Sequence, residues 1–112
     1  MTRSPPAPQH LTTTTRGWWR SVVREYDLDD HHLMLLQAAA EAFDRLNQAR
    51  EILAREGLTV NCRQGGIKPH PCIAIERDCR IGFARLIREL DLDLDEPGQY
   101  ERRPPALRSN RG

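Results

Sequence analysis

The sequence predicts a mainly α-helical fold of three helices, the second and third forming a long antiparallel pair with a short β-hairpin or extended loop between them. Three observations point to it. Apolar residues recur at helical spacing in three stretches. A β-branched run closed by Gln64-Gly65-Gly66 separates the second stretch from the third. Pro69-His70-Pro71 then forbids helix until the third stretch begins, because the residue before each proline is pushed out of the α region.

Residues 1–10 (MTRSPPAPQH) hold three prolines and no apolar period, and are expected to form a disordered leader before a helical domain spanning 11–96. Leu11 and the hydroxyls of Thr12 to Thr15 supply helix-start signals, and Trp19, Val22, Val23 and Tyr26 follow at i, i+3, i+4 and i+7. Arg16, Arg20 and Arg24, four apart, fall on another face of the same helix, as a solvated surface or a phosphate-contacting edge. Asp27 to Asp30 break the pattern and offer short carboxylates to cap a second helix that runs to about Glu56.

In that helix Leu35, Ala39, Ala42, Leu46, Ala49 and Leu53 alternate at 4-3 spacing, while Leu33, Leu36, Ala40 and Phe43 form a second seam. Two seams suit two partners: the returning helix, and helix one or a neighbouring subunit. Glu41 with Arg45 and Glu51 with Arg55 stand in the favourable i, i+4 order. Gly57 supplies the stop. The third helix starts at Pro71, whose fixed φ suits a first turn, and carries Ile75, Cys79, Phe83, Leu86, Ile87 and Leu90 on one side. Gly82 inside it costs about 1 kcal/mol against Ala, which a close helix crossing would repay. An acidic segment, Asp91 to Glu96, ends the domain, and residues 97–112 are expected to be a disordered basic tail.

With 38% apolar and 29% charged residues in 112, a single domain has a small core of its own, and chains of this size often gain stability by associating. The net charge of +1 conceals blocks of alternating sign: 1–27 and 61–88 are basic, 28–60 and 89–101 acidic, and 102–112 basic again. Bulk charge therefore gives no nucleic-acid signal, whereas local patches do. The basic residues are arginines except Lys68, a bias that a GC-rich genome explains better than guanidinium chemistry with phosphate does. Three cysteines without an apolar signal segment indicate a reducing cytoplasm rather than a disulfide scaffold, and no stretch approaches the ~18 apolar residues of a membrane span.

Catalytic and cofactor chemistry finds no support. Cys62, His70, Cys72 and Cys79 follow C-x₇-H-x-C-x₆-C, with no closed ligand pair for zinc. His31 and His32 are consecutive, and consecutive helical residues point about 100° apart and chelate poorly. His70, fixed between prolines, has no third member for a nucleophilic cysteine. Gly65-Gly66-Ile67-Lys68 is too short for a nucleotide-binding loop, and the acidic exit lacks the closing glutamate of a calcium loop. The expectation is a protein without metal, cofactor or catalytic residues.

The segments WWRSVVREYDLDD, LLQAAAEAFDRLNQAREILAREGLTV and RQGGIKPHPCIAIERDCRIGFARLIRELDLDLDEP, taken in order, resemble the small terminase subunit of tailed phages, P27 family. The matching positions are Trp19, Tyr26, Asp44-Arg45, Ala49-Arg50, Gly57, Gly65 or Gly66, Lys68, His70-Pro71, and Arg88-Glu89-Leu90 with Leu92, covering roughly 11–96. The resemblance implies a non-catalytic, homo-oligomeric ring that binds the packaging site of double-stranded viral DNA and hands it to a separate ATPase-nuclease, the terminase large subunit.

No motif of that family marks DNA contacts, so these are chosen from charge: Arg16, Arg20 and Arg24 on helix one, Arg63 and Lys68 on the hairpin, and Arg102, Arg103, Arg108 and Arg111 in the tail as a non-specific clamp. The core or oligomer seam is assigned to Leu35, Ala39, Ala42, Leu46, Ala49, Leu53, Phe83, Leu86 and Leu90. A dimeric helical interaction or DNA-binding regulator with no packaging role is the alternative reading, separated from a ring by its oligomeric mass.

Overall fold

A computed structural model describes residues 5–92. In chain order these form α1 (Thr13–Glu25), α2 (Asp30–Glu56), β1 (Thr59–Asn61), β2 (Ile67–Pro69) and α3 (Pro71–Leu90). At about 1.5 Å per residue, α2 is roughly 40 Å long and is the spine of the molecule. The other two helices run antiparallel to it, α1 along its first half and α3 along nearly its whole length.

α1 begins where Thr12 Oγ1 accepts the Thr15 amide proton, a side-chain cap on one of the four amides that a helix start leaves unpaired. Its buried face is Thr15, Trp19, Val22 and Val23. These pack with Leu11, Leu36, Ala40 and Leu90 into the core, with Trp18, Tyr26, Leu28, Leu33, Leu35 and Leu92 around it. The Leu33/Leu36/Ala40 seam of α2 therefore takes α1. Upstream, the chain lies along the same helix: the Trp19 indole N–H donates to the Pro5 carbonyl at 3.2 Å, and Ala7 packs on the core.

The other seam of α2 faces α3, except at Leu35, which borders the α1 core. Ala39, Leu46 and Ala49 are buried, and Leu35, Ala42 and Leu53 are half-buried. Phe43 meets Phe83 with ring centroids 5.2 Å apart, and Trp18 reaches the same Phe83 at 6.1 Å, so one ring of α3 touches both other helices. Further along, Arg50 of α2 and Arg80 of α3 both donate to Glu76 Oε2, at 3.1 and 3.2 Å. On α3 only Leu90 is fully buried; Phe83, Leu86 and Ile87 are half-buried, and Ile75, expected on the packed stripe, is exposed.

Gly57 ends α2 at φ 88°, a left-handed value that costs glycine nothing. β1 and β2 pair antiparallel with Val60 opposite Lys68, and Gly65 and Gly66, both at positive φ, close the hairpin. Its base is tied by the His70 amide donating to the Leu58 carbonyl at 2.8 Å. Pro71 opens α3 as its first residue, behind a His70 cap.

Three local expectations are corrected. A Cβ built on Gly82 meets nothing within 4 Å, so no close helix crossing repays that glycine. Asp29 holds the cap position of α2 but makes no side-chain cap hydrogen bond. Neither i, i+4 pair of α2 closes: Glu41 accepts from Gln37 and pairs with His10, and Arg55 turns to Glu56.

Candidate nucleic-acid interface

Helical spacing puts Arg16, Arg20 and Arg24 one above the other, about 6 Å apart along the axis of α1. Together with Pro5, Pro6, Ala7, Gln9 and Val23 they line one shallow groove, whose other wall is the segment held by the Pro5–Trp19 bond. None of the three pairs with a described carboxylate, although Arg50, Arg55, Arg77 and Arg80 all do. Arg16 Nε is buried with no hydrogen-bond partner. Among the described residues nothing takes up the hydrogen-bonding capacity of these three guanidinium groups, which phosphate oxygens can satisfy.

Arg63 and Lys68 are exposed on the hairpin and also unpaired among the described residues. The fold does not bring them to the α1 groove. α1 begins against Asp44, whereas the hairpin follows Glu56, about 18 Å further along α2. The two basic patches therefore lie at opposite ends of one molecule. The tail residues Arg102, Arg103, Arg108 and Arg111, and the acidic residues Asp93 to Glu96, lie outside the described residues.

Charge and spacing along the chain do not single out Arg85 and Arg88, which the fold adds to the basic candidates. Both are exposed, unpaired among the described residues, and sit in the last turns of α3, at the end where Leu90 joins the α1 core. The sequence places both in the basic block 61–88, and Arg88 in the Arg88-Glu89-Leu90 match, without marking either as a contact.

Two polar constructions hold this frame. Asp44 accepts from Thr15 Oγ1 at 2.6 Å, from Thr12 Oγ1 at 2.9 Å and from the Thr12 amide at 2.9 Å. Partial burial alone raises its carboxyl pKa, but the hydrogen bonds from Thr15 and Thr12 outweigh burial and hold it below the usual range. At the other end, the buried His70 accepts the Cys72 amide proton on Nδ1 at 3.0 Å while Nε2 lies 2.8 Å from Glu56 Oε1. A ring nitrogen that accepts carries no proton, so Nε2–H donates to Glu56 and links the end of α2 to the start of α3. That bond is the leading cause holding the Glu56 carboxyl below its usual pKa.

The three cysteines are free and half-buried. No helix among the described residues is long and apolar enough to cross a membrane.

Compared with known families, residues 16–101 fit the one described as phage terminase, small subunit. No curated protein and no solved structure matches the chain. The family match spans most of the sequence, including the aromatic first helix, the Asp44-Arg45 pair, the hairpin and all of α3. The chain belongs to the phage terminase small-subunit family.

Proposed function

We propose that this member of the family, of its P27 type, is the non-catalytic packaging adaptor of a terminase, working in the cytoplasm of the bacterial host. It holds double-stranded phage DNA at the packaging site through phosphate contacts and delivers it to the ATPase-nuclease large subunit. The observation that carries the reading is the α1 groove, with three arginines in register and none neutralised by a described carboxylate. With neighbouring guanidinium groups about 6 Å apart along the helix, the row offers contacts to as many as three phosphates.

A homo-oligomeric ring completes the proposal. Isolated arginine rows bind DNA weakly, and repeating the groove around a closed assembly multiplies the phosphate contacts without adding any per chain. The same closure gives a role to the separation of patches: the hairpin of one copy and the α1 groove of another are free to meet one duplex. The half-covered α3 face, with exposed Ile75 and Ile81, is the apolar surface available for such an assembly.

The test is native mass by light scattering over a range of protein concentrations, alone and with a duplex. A particle well beyond a dimer that co-elutes with DNA is expected. A concentration-independent monomer or dimer without DNA binding overturns the ring and leaves the dimeric regulator.

A further inference from the structure

We propose that Asp29, His31 and His32, at the corner between α1 and α2, form a binding site for a borderline divalent transition-metal ion of the zinc class. One ligand atom from each residue lies within 4.8 Å of the others. Nothing in the DNA-binding reading uses these three residues, so the inference stands apart from it.

The helical-wheel objection to the two histidines holds for a helix interior, and this is a helix start. Asp29 is the cap, with extended backbone at φ −74° and ψ 170°. That conformation swings a cap side chain over the first turn, toward the residue three further on. His32 is that residue. The usual reward for a cap aspartate is a hydrogen bond to a free amide, and Asp29 makes none. Its Oδ2 instead faces His32 Nδ1 at 3.9 Å, too long for a hydrogen bond.

A second observation points to a ligand. Although the His32 side chain is 33% exposed, its Nδ1 is shielded from solvent and has no hydrogen-bond partner among the described residues, which leaves that nitrogen open to a ligand. His31 completes the set: its ring lies against that of His32 at a centroid distance of 4.1 Å and an interplanar angle of 35°. Two imidazoles and one carboxylate form the donor set of zinc-class sites with a coordination position left for water. Ligand atoms around a tetrahedral ion with bonds of about 2.0–2.2 Å stand roughly 3.3–3.6 Å apart. Binding therefore requires the side chains to turn so that donors now within 4.8 Å of one another close to that spacing, the stacked His31 ring moving off His32. The positive pole of the helix start opposes a cation, and the neighbouring carboxylates of Asp27 and Asp30 offset it. Imidazole donors set the site apart from the all-oxygen shells that magnesium and calcium prefer.

A bound ion would clamp the turn that fixes α1 on α2. The experiment uses the full chain, free of affinity tags and stripped of metal, titrated with Zn²⁺ by calorimetry and with Co²⁺ by visible absorption. Far-UV circular dichroism checks the fold of every variant. The expected result is one saturable ion per chain, with tetrahedral cobalt bands and no thiolate charge-transfer band. Asp29→Asn, and His31→Gln at an exposed position, each weaken it at least tenfold. Binding is unchanged when Cys62, Cys72 and Cys79 are all replaced by Ser, and when His10→Gln removes a distant imidazole. Absence of saturable binding, survival of full affinity in Asp29→Asn and His31→Gln, or loss of binding in the cysteine variant overturns the site.

Discussion

Asp44 of α2 accepts the Thr15 hydroxyl proton at 2.6 Å, and through that bond and two from Thr12 the middle of α2 becomes the anchor for the start of α1. One carboxylate thus positions the helix that carries the arginine groove. The cost of losing it is the loss of a charged acceptor together with unpaired donors left at a helix start. Asp44→Ala is expected to destabilise the fold by about 2–3 kcal/mol, and Asp44→Asn, which keeps an acceptor, by about half that. Urea unfolding followed by circular dichroism measures both.

The same bond predicts a pH dependence. The folded-state pKa of Asp44 is depressed, so the unfolded chain takes up its proton first as pH falls. The stability this group contributes is fully present above the ordinary aspartate value of about 3.9 and is lost as pH drops through the folded value. Melting temperatures measured from pH 6 downward should fall for the native chain, with a shallower acid slope for Asp44→Asn.

His70 gives a prediction about the opposite end. Its Nδ1 caps α3 and its Nε2–H reaches Glu56, so His70→Ala removes a cap and leaves the Cys72 amide without its acceptor. A loss of about 1–2 kcal/mol is expected. His70→Asn keeps a cap acceptor and should recover part of it, which unfolding titrations of the two variants will show.

Gly82→Ala runs the other way. Since a Cβ there meets nothing within 4 Å, the substitution removes only the backbone freedom of the unfolded chain and adds helix propensity. A gain of about 0.5–1 kcal/mol in unfolding free energy is expected. A decrease would reveal a close packing partner on that face of α3.

Much of the architecture is legible in the sequence because it rests on local chemistry. Gly57, the two hairpin glycines and Pro71 mark element boundaries by backbone conformation alone, and the two seams of α2 divide between α1 and α3 except that Leu35 borders the α1 core and Phe43 meets Phe83 of α3. What escapes the sequence is choice among partners. Asp44 and Arg45 read as a motif pair, yet Asp44 reaches threonines some thirty residues upstream, and Glu41 takes Gln37 and His10 in place of Arg45. Such bonds depend on how α1 lies on α2, which periodicity does not encode. Of the basic candidates, the α1 row is visible as an i, i+4, i+8 pattern. Its groove is not, because the wall comes from residues 5–9, a proline-rich stretch with no apolar period. Arg85 and Arg88 stay hidden because helix α3 signals itself first by its apolar residues.

The salt dependence of duplex binding tests the central claim most directly. Fluorescence anisotropy with a labelled duplex, read across salt concentrations for the native chain and for Arg16→Ala/Arg20→Ala/Arg24→Ala, gives the slope of log K against log salt. If the α1 groove holds phosphates, the native chain binds with a steep negative slope and the triple variant binds more weakly, its slope reduced by about 0.9 for each phosphate no longer neutralised. A native chain that fails to bind, or a triple variant with unchanged affinity and slope, would contradict it.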